Sequence, residues 1–194
     1  MLGKIQQWDE YWVCRINKQK FNPILHNIFV YFTHLGSVIP WIIVCIILFL
    51  LNKDNLAAIL GTSLIQFGII QFLIKLVIRR ERPYKNVKIK DQIEKRDFLL
   101  RNGGPSFPSG HCTTFTLVSL IFVYYFNNPY LLIFTIAGLL FVGYSRIYLG
   151  SHYPTDLIGG VFFGIMLYFL ALLTIPVTLY ILKIIAESIF AVIV

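Results

Sequence analysis

The chain has 194 residues, 57% of them hydrophobic and only 13% charged. A soluble domain averages about 25% charged residues, so the composition excludes an ordinary soluble fold and points to a single integral membrane domain. The formal net charge is +8, with most Lys and Arg in residues 1–20 and 75–101; in a chain that spans lipid, such clusters favour anionic head groups or a phosphorylated lipid over nucleic acid.

At the N-terminus, Trp8, Asp9 and Glu10 occupy the place where a cleavable signal would need its apolar stretch, so no signal peptide is expected. Trp8, Tyr11, Trp12 and Trp41 are suited to anchor at a membrane interface. In residues 22–37, Ile24, Leu25, Ile28, Phe29, Phe32 and Leu35 share one helical stripe, with Asn27, Thr33 and His34 mostly off it. This pattern predicts a helix lying in the interface, after which Gly36 and Pro40 let the chain turn inward. The apolar runs 38–51, 56–78, 112–126, 130–149 and 157–182 are expected to span the membrane, each near the required length or short enough to need local thinning. Short polar links join the first run to the second and the third to the fourth, which makes antiparallel hairpins. The loop 79–108 and the link 150–155 then share one face. The expected fold is all-α: a polytopic membrane helical bundle of about five transmembrane helices plus an N-terminal interfacial helix, one domain over 1–194. The stretch 84–104 reads as a mixed-charge, mainly solvated cap. Its acids Asp91, Glu94 and Asp97 alternate with Lys90, Lys95 and Arg96, a charge run rather than a two-metal site. Cys14, Cys45 and Cys112 have no ligand spacing and predict no disulfide framework. No metal, no cofactor and no obligatory protein partner is expected.

Three polar strings stand at the ends of these runs. Lys75 precedes Arg82 by nearly two helical turns, which lets both project from one face, and Pro83 ends the helix near Arg82. In Pro108-Ser109-Gly110-His111, Ser109 is a natural N-cap. Gly110 and His111 then offer backbone N–H groups to an anion at a helix N-terminus. In Ser145-Arg146 followed by His152 and Asp156, the last two are spaced to share one face of a helix start. A carboxylate at the top of an apolar span needs a partner, and His152 is the one on offer. Such pairing fixes the imidazole tautomer and raises the basicity of the other nitrogen, making histidine itself a candidate nucleophile. Each string alone has a bland alternative: a snorkelling lysine, a capped helix, a structural His–Asp cap. Together they hold three cations, two histidines and a carboxylate, a set suited to gripping and attacking a phosphoryl group.

Lys-x6-Arg-Pro, Pro-Ser-Gly-His and Ser-Arg-x5-His-x3-Asp, in this order, resemble the three signatures of the type 2 phosphatidic acid phosphatase superfamily over roughly residues 56–170. The resemblance implies a helical bundle and a metal-independent phosphatase. By position, Lys75, Arg82 and Arg146 would bind phosphate oxygens, helped by Ser109, Gly110 and Ser145. His152 would attack phosphorus, His111 would protonate the leaving oxygen and then activate water, and Asp156 would orient His152. It also implies a substrate whose tail stays in the bilayer, with a polyprenyl pyrophosphate ranked ahead of phosphatidylglycerophosphate, phosphatidate and the 1-phosphate of lipid A. The location it implies is the bacterial inner membrane, with the active site on the outer, periplasmic face; the positive-inside rule points the other way. Vanadate-dependent haloperoxidases share such a site but are soluble. A non-catalytic anionic-lipid binder or transporter would need the cations but not the His–Asp pair.

Overall fold

The computed structural model describes residues 2–96 and 104–193. Among these the chain forms α1 (Leu2–Asn17), α2 (Pro23–Phe32), α3 (Val38–Leu50), α4 (Asp54–Val77), α5 (Gly110–Phe126), α6 (Leu131–Tyr148) and α7 (Pro154–Ile193), with short 3-10 turns at Thr33–Gly36, Pro83–Lys85 and Lys90–Gln92 and no strand. The protein is an all-helical, multi-pass membrane bundle. Helices α4, α6 and α7 are long and apolar enough to cross a bilayer; α2 with its 3-10 turn and α3 would make a fourth span, bent by 58°. Helix α5 has 17 residues, about 26 Å at the usual rise, short of the roughly 30 Å hydrocarbon layer.

Helix α5 is the centre. Leu117, Val118 and Ile121 pack against Leu56, Leu60, Leu64 and Phe67 of α4 and Leu167 of α7. The approach of α7 to α5 depends on missing side chains. A Cβ at Gly160 would sit 2.7 Å from the Ser109 carbonyl oxygen, and one at Gly164 would sit 2.6 Å from Thr116 Cβ. Small residues four apart let membrane helices come this close and gain dispersion contacts. The outer surface is apolar: Phe49, Leu50, Ile65, Phe72, Phe134, Leu140, Phe169 and Leu173 are exposed, and α3 buries no residue at all. Lipid, not water, is the matching solvent for such a surface.

Several local expectations need correction. Helix α1 was not anticipated as an element. Its inward stripe is Asp9, Val13 and Asn17, all buried, and two polar residues of three give no apolar periodicity to read. In residues 22–37 the apolar stripe splits. Phe29 packs on Phe141, Tyr144 and Tyr148 of α6, while Ile24, Phe32 and Leu35 are exposed. Thr33, off the stripe, is fully buried, because the protein interior here is polar and the exterior apolar. Lys75 and Arg82 do not share a helix face. α4 ends at Val77, and Arg82 follows in extended backbone, where the Arg80 carbonyl accepts from Ser106 N at 2.8 Å. The stretch 84–96 is mostly exposed, as expected for a solvated cap, but it is tied down where Ile89 and Ile93 pack with Val13, Ile147 and Tyr153. Arg96 is buried, with its guanidinium over the Tyr148 ring. Asp97 lies outside the described residues.

Candidate active site

The C-terminal ends of α4 and α6 and the N-terminal ends of α5 and α7 meet at one end of the bundle, and each contributes to one cluster. At the end of α6, Arg146 is completely buried, and its carbonyl accepts from the Ser151 and His152 amides at 3.0 and 3.3 Å. That return requires Gly150, whose φ is +73° and whose added Cβ would lie 2.8 Å from Ile93 Cγ2 and 3.0 Å from the Glu94 carbonyl oxygen. A left-handed residue just past a helix is the common way to stop it. Here it folds the link back so that His152 lies over Arg146.

His152 precedes α7 rather than sitting in it, which corrects the expectation of a shared helix face; Pro154 opens the helix and Asp156 lies in its first turn. Both side chains are buried, and His152 Nδ1 is 3.4 Å from Asp156 Oδ2. The opposite ring nitrogen, Nε2, lies 3.2 Å from Arg82 Nη1. A guanidinium only donates, so Nε2 carries the lone pair and the proton resides on Nδ1, toward the carboxylate. Burial, then the charges of Arg82, Arg146 and Lys75, hold the His152 pKa well below that of an ordinary histidine. The ring is therefore a neutral base at neutral pH, with its Nε2 lone pair turned toward Arg82.

Arg82 is held by backbone oxygens, donating to Gly104 O at 2.9 Å and Ser151 O at 3.0 Å. Ser109 caps α5, its hydroxyl accepting from Cys112 N at 3.5 Å. The amides of Gly110 and His111 are thereby among the helix's first N–H groups, which have no intrahelical acceptor. His111 Nε2 is buried and makes no hydrogen bond to any of the described residues. Lys75 lies near enough to Arg82, Arg146 and Asp156 for their charges to interact. Of the expected phosphate ligands, Ser145 is turned elsewhere: its hydroxyl contacts Thr33 Oγ1 at 2.8 Å and Val142 O at 2.7 Å. Among the described residues, no three His, Cys, Asp or Glu side chains are grouped as metal ligands.

The main partner of Asp156 is a residue the sequence did not single out. Arg80 Nη1 donates to Asp156 Oδ1 at 2.8 Å, while Asp156 Oδ2 accepts from Tyr153 N at 2.9 Å. Arg80 Nη2 pairs with Asp9 of α1, and Asp9 also takes the amide and hydroxyl of Thr155. In sequence Arg80 is one charge among neighbours at the end of an apolar run, and Asp9 is one acid near the N-terminus. The one usable signal was the spacing of Asp9, Val13 and Asn17 at four residues, a helical stripe.

Residues 56–179 match the PAP2 superfamily. Phosphatidylglycerophosphatase B of Bacillus subtilis (strain 168) is 36% identical over 111 residues, 50% of this chain and 54% of that protein. Undecaprenyl-diphosphatase BcrC of the same organism is 31% identical over 151 residues, 77% of this chain and 74% of that protein. The chain thus spans about half the length of the first relative and about three-quarters of the second. In fold, the crystal structure of Aquifex aeolicus LpxE superposes with a TM-score of 0.70 at 22% identity, over 85% of this chain and 94% of that one.

Proposed function

This chain belongs to the PAP2 superfamily, and from that premise we propose that it is a metal-independent membrane lipid phosphatase working through a phosphohistidine on His152. The observation that carries the reading is the buried imidazole with Nδ1 facing Asp156 and Nε2 facing Arg82. A phosphoryl group drawn in by Lys75, Arg82, Arg146 and the α5 N-terminus meets the Nε2 lone pair. The P–N bond forms as the bond to the leaving oxygen breaks, and His111 supplies that oxygen's proton. Water then attacks phosphorus, gives a proton to His111 and releases inorganic phosphate, restoring His152. The cations neutralise equatorial charge where other phosphoryl-transfer sites use magnesium. Ser145, by its contacts with Thr33 and the Val142 carbonyl, holds the Thr33 segment against α6 rather than touching phosphate.

A lipid substrate is supported by an apolar groove of about 410 Å³ along α4, running from Lys75 and Pro105 past Gln71 and Phe72 to Phe67 and Gly68. The preferred substrate is undecaprenyl pyrophosphate, in keeping with a diphosphatase relative matched over most of its length. Phosphatidylglycerophosphate is the alternative, favoured by the higher identity to the phosphatidylglycerophosphatase. For the site we propose the outer face of a bacterial inner membrane, a reading supported by the family resemblance.

The test is phosphate release from undecaprenyl pyrophosphate, phosphatidylglycerophosphate, phosphatidate and lipid A, in detergent with excess chelator. The expected result is turnover of at least one lipid by the native chain and none by a folded His152→Ala variant. Turnover that vanishes with chelator and returns with magnesium, or that persists in His152→Ala, overturns the reading. A non-catalytic binder would hydrolyse nothing.

A further inference from the structure

The geometry points to Asp9 and Arg80 as positioning residues for the nucleophile, which makes the N-terminal helix part of the catalytic apparatus. This inference rests on the reading of His152 as nucleophile. Three cations, Lys75, Arg82 and Arg146, act on the His152 ring. Arg80 is turned away from that group. Its two terminal nitrogens are divided between two carboxylates, Nη1 on Asp156 at 2.8 Å and Nη2 on Asp9 at 2.5 Å. Both carboxylates are completely buried, whereas the Arg80 side chain keeps 18% exposure. The guanidinium plane is fixed further by the Tyr153 ring, 4.1 Å beneath it, and by Gln6 Oε1 at 3.0 Å.

Each group in this chain determines the next. Asp9 holds Thr155 through its amide, at 3.0 Å, and its hydroxyl, so α1 grips the first turn of α7 directly beside Asp156. Arg80 takes Oδ1 of Asp156, which leaves Oδ2 for the Tyr153 amide and His152 Nδ1. The carboxylate cannot rotate about its last torsion without breaking a charge-assisted bond, the stronger class of hydrogen bond. Asp9 has an electrostatic effect as well. Arg80 alone on Asp156 would draw negative charge away from His152; a second carboxylate on the same guanidinium shares that demand. Asp156 thereby keeps more of its charge for the imidazolium-like ring that forms as phosphorus is attacked. A bare structural pin between α1 and α7 would not require a cation split between two buried carboxylates, one of them also facing the nucleophile.

The experiment is a double-mutant cycle on full-length protein in detergent, with whichever lipid of the panel the native chain hydrolyses. Asp9→Asn should lower kcat ten- to a hundredfold, on the order expected when a reacting group is misplaced, with KM within about twofold. In an Asp156→Asn background the same change should alter kcat by less than about twofold, because the residue it acts through is gone. An equal loss in both backgrounds, or a loss confined to KM, overturns the proposal. If Asp9→Asn does not fold, Arg80→Lys takes its place, since a point charge cannot bridge two carboxylates as a fork does. An arm independent of turnover uses ring-nitrogen NMR of labelled protein, with His152 assigned by His152→Gln. Loss of the single Nδ1–H tautomer in Asp9→Asn supports the relay; an unchanged His152 spectrum in a folded variant overturns it. If no lipid is hydrolysed, the phosphatase reading fails while this arm still decides the relay.

Discussion

Asp156→Asn is the sharpest perturbation of the site, because asparagine keeps the shape and no orientation of it fits. Asp156 accepts from Arg80 through Oδ1 and from the Tyr153 amide through Oδ2, with His152 Nδ1 3.4 Å from the latter. If the amide oxygen stays on Arg80, the NH2 group faces the Tyr153 N–H and the His152 Nδ1–H. The ring then shifts its proton to Nε2, and the lone pair that should attack phosphorus points away from it. If the amide is flipped, NH2 faces Arg80 and the largely buried guanidinium loses one of its two carboxylate partners. A carboxylate-to-amide change that inverts the histidine tautomer costs on the order of 10⁴ in kcat in the serine-protease triad, and a factor of about 10³ to 10⁴ is expected here, ~4–5.5 kcal/mol in the barrier. KM should change little, since Lys75, Arg82 and Arg146 remain. Stability should fall by about 1–3 kcal/mol for the unsatisfied buried donor. Steady-state phosphate release and thermal melting in the same detergent measure the two effects. A kcat within tenfold of native in a folded protein would refute the tautomer argument and reduce Asp156 to a helix cap.

Gly150→Ala should destabilise by about 1–3 kcal/mol, since it combines a positive φ with a Cβ 3.0 Å from a backbone oxygen; an unchanged melting temperature would mean that the Ile93–Glu94 strap yields freely. His152 imposes a pH dependence whose sign follows from its lowered pKa. The folded ring stays neutral where the unfolded chain takes up a proton, so this contribution to stability is full above about pH 6.5 and is lost as pH falls through the interval below it. Melting curves between neutral and mildly acidic pH should therefore be steeper for the native chain than for His152→Gln, and equal slopes would contradict the assignment of a neutral ring. For sidedness, Lys90→Cys in a background lacking Cys14, Cys45 and Cys112 should react with an impermeant thiol reagent in intact cells. Protection until the membrane is opened would move the site to the cytoplasmic face.

Much of this protein is legible along the chain. Membrane residence follows from composition, because a polar backbone can cross lipid only inside apolar helices. The spacing of Lys75, Arg82, Ser109, His111, Arg146, His152 and Asp156 is local information, and Ser109, Gly150 and Pro154 mark three of the helix ends near which they lie. Which face of each helix looks inward is another matter. Lipid is as apolar as a protein core, so hydrophobic periodicity loses its meaning in the bilayer: the Ile24–Leu35 stripe is split between inside and outside, and buried Thr33 meets Ser145 across 112 positions. The same holds for the two residues the sequence passed over. Arg80 is one of four consecutive charged residues, and Asp9 one acid among aromatics. They become partners only when packing brings together positions 71 apart, and Arg80 and Asp156 76 apart. A one-dimensional pattern can say that a buried carboxylate needs a cation, but several cations were on offer, and the choice among them belongs to the way α1, α4 and α7 converge.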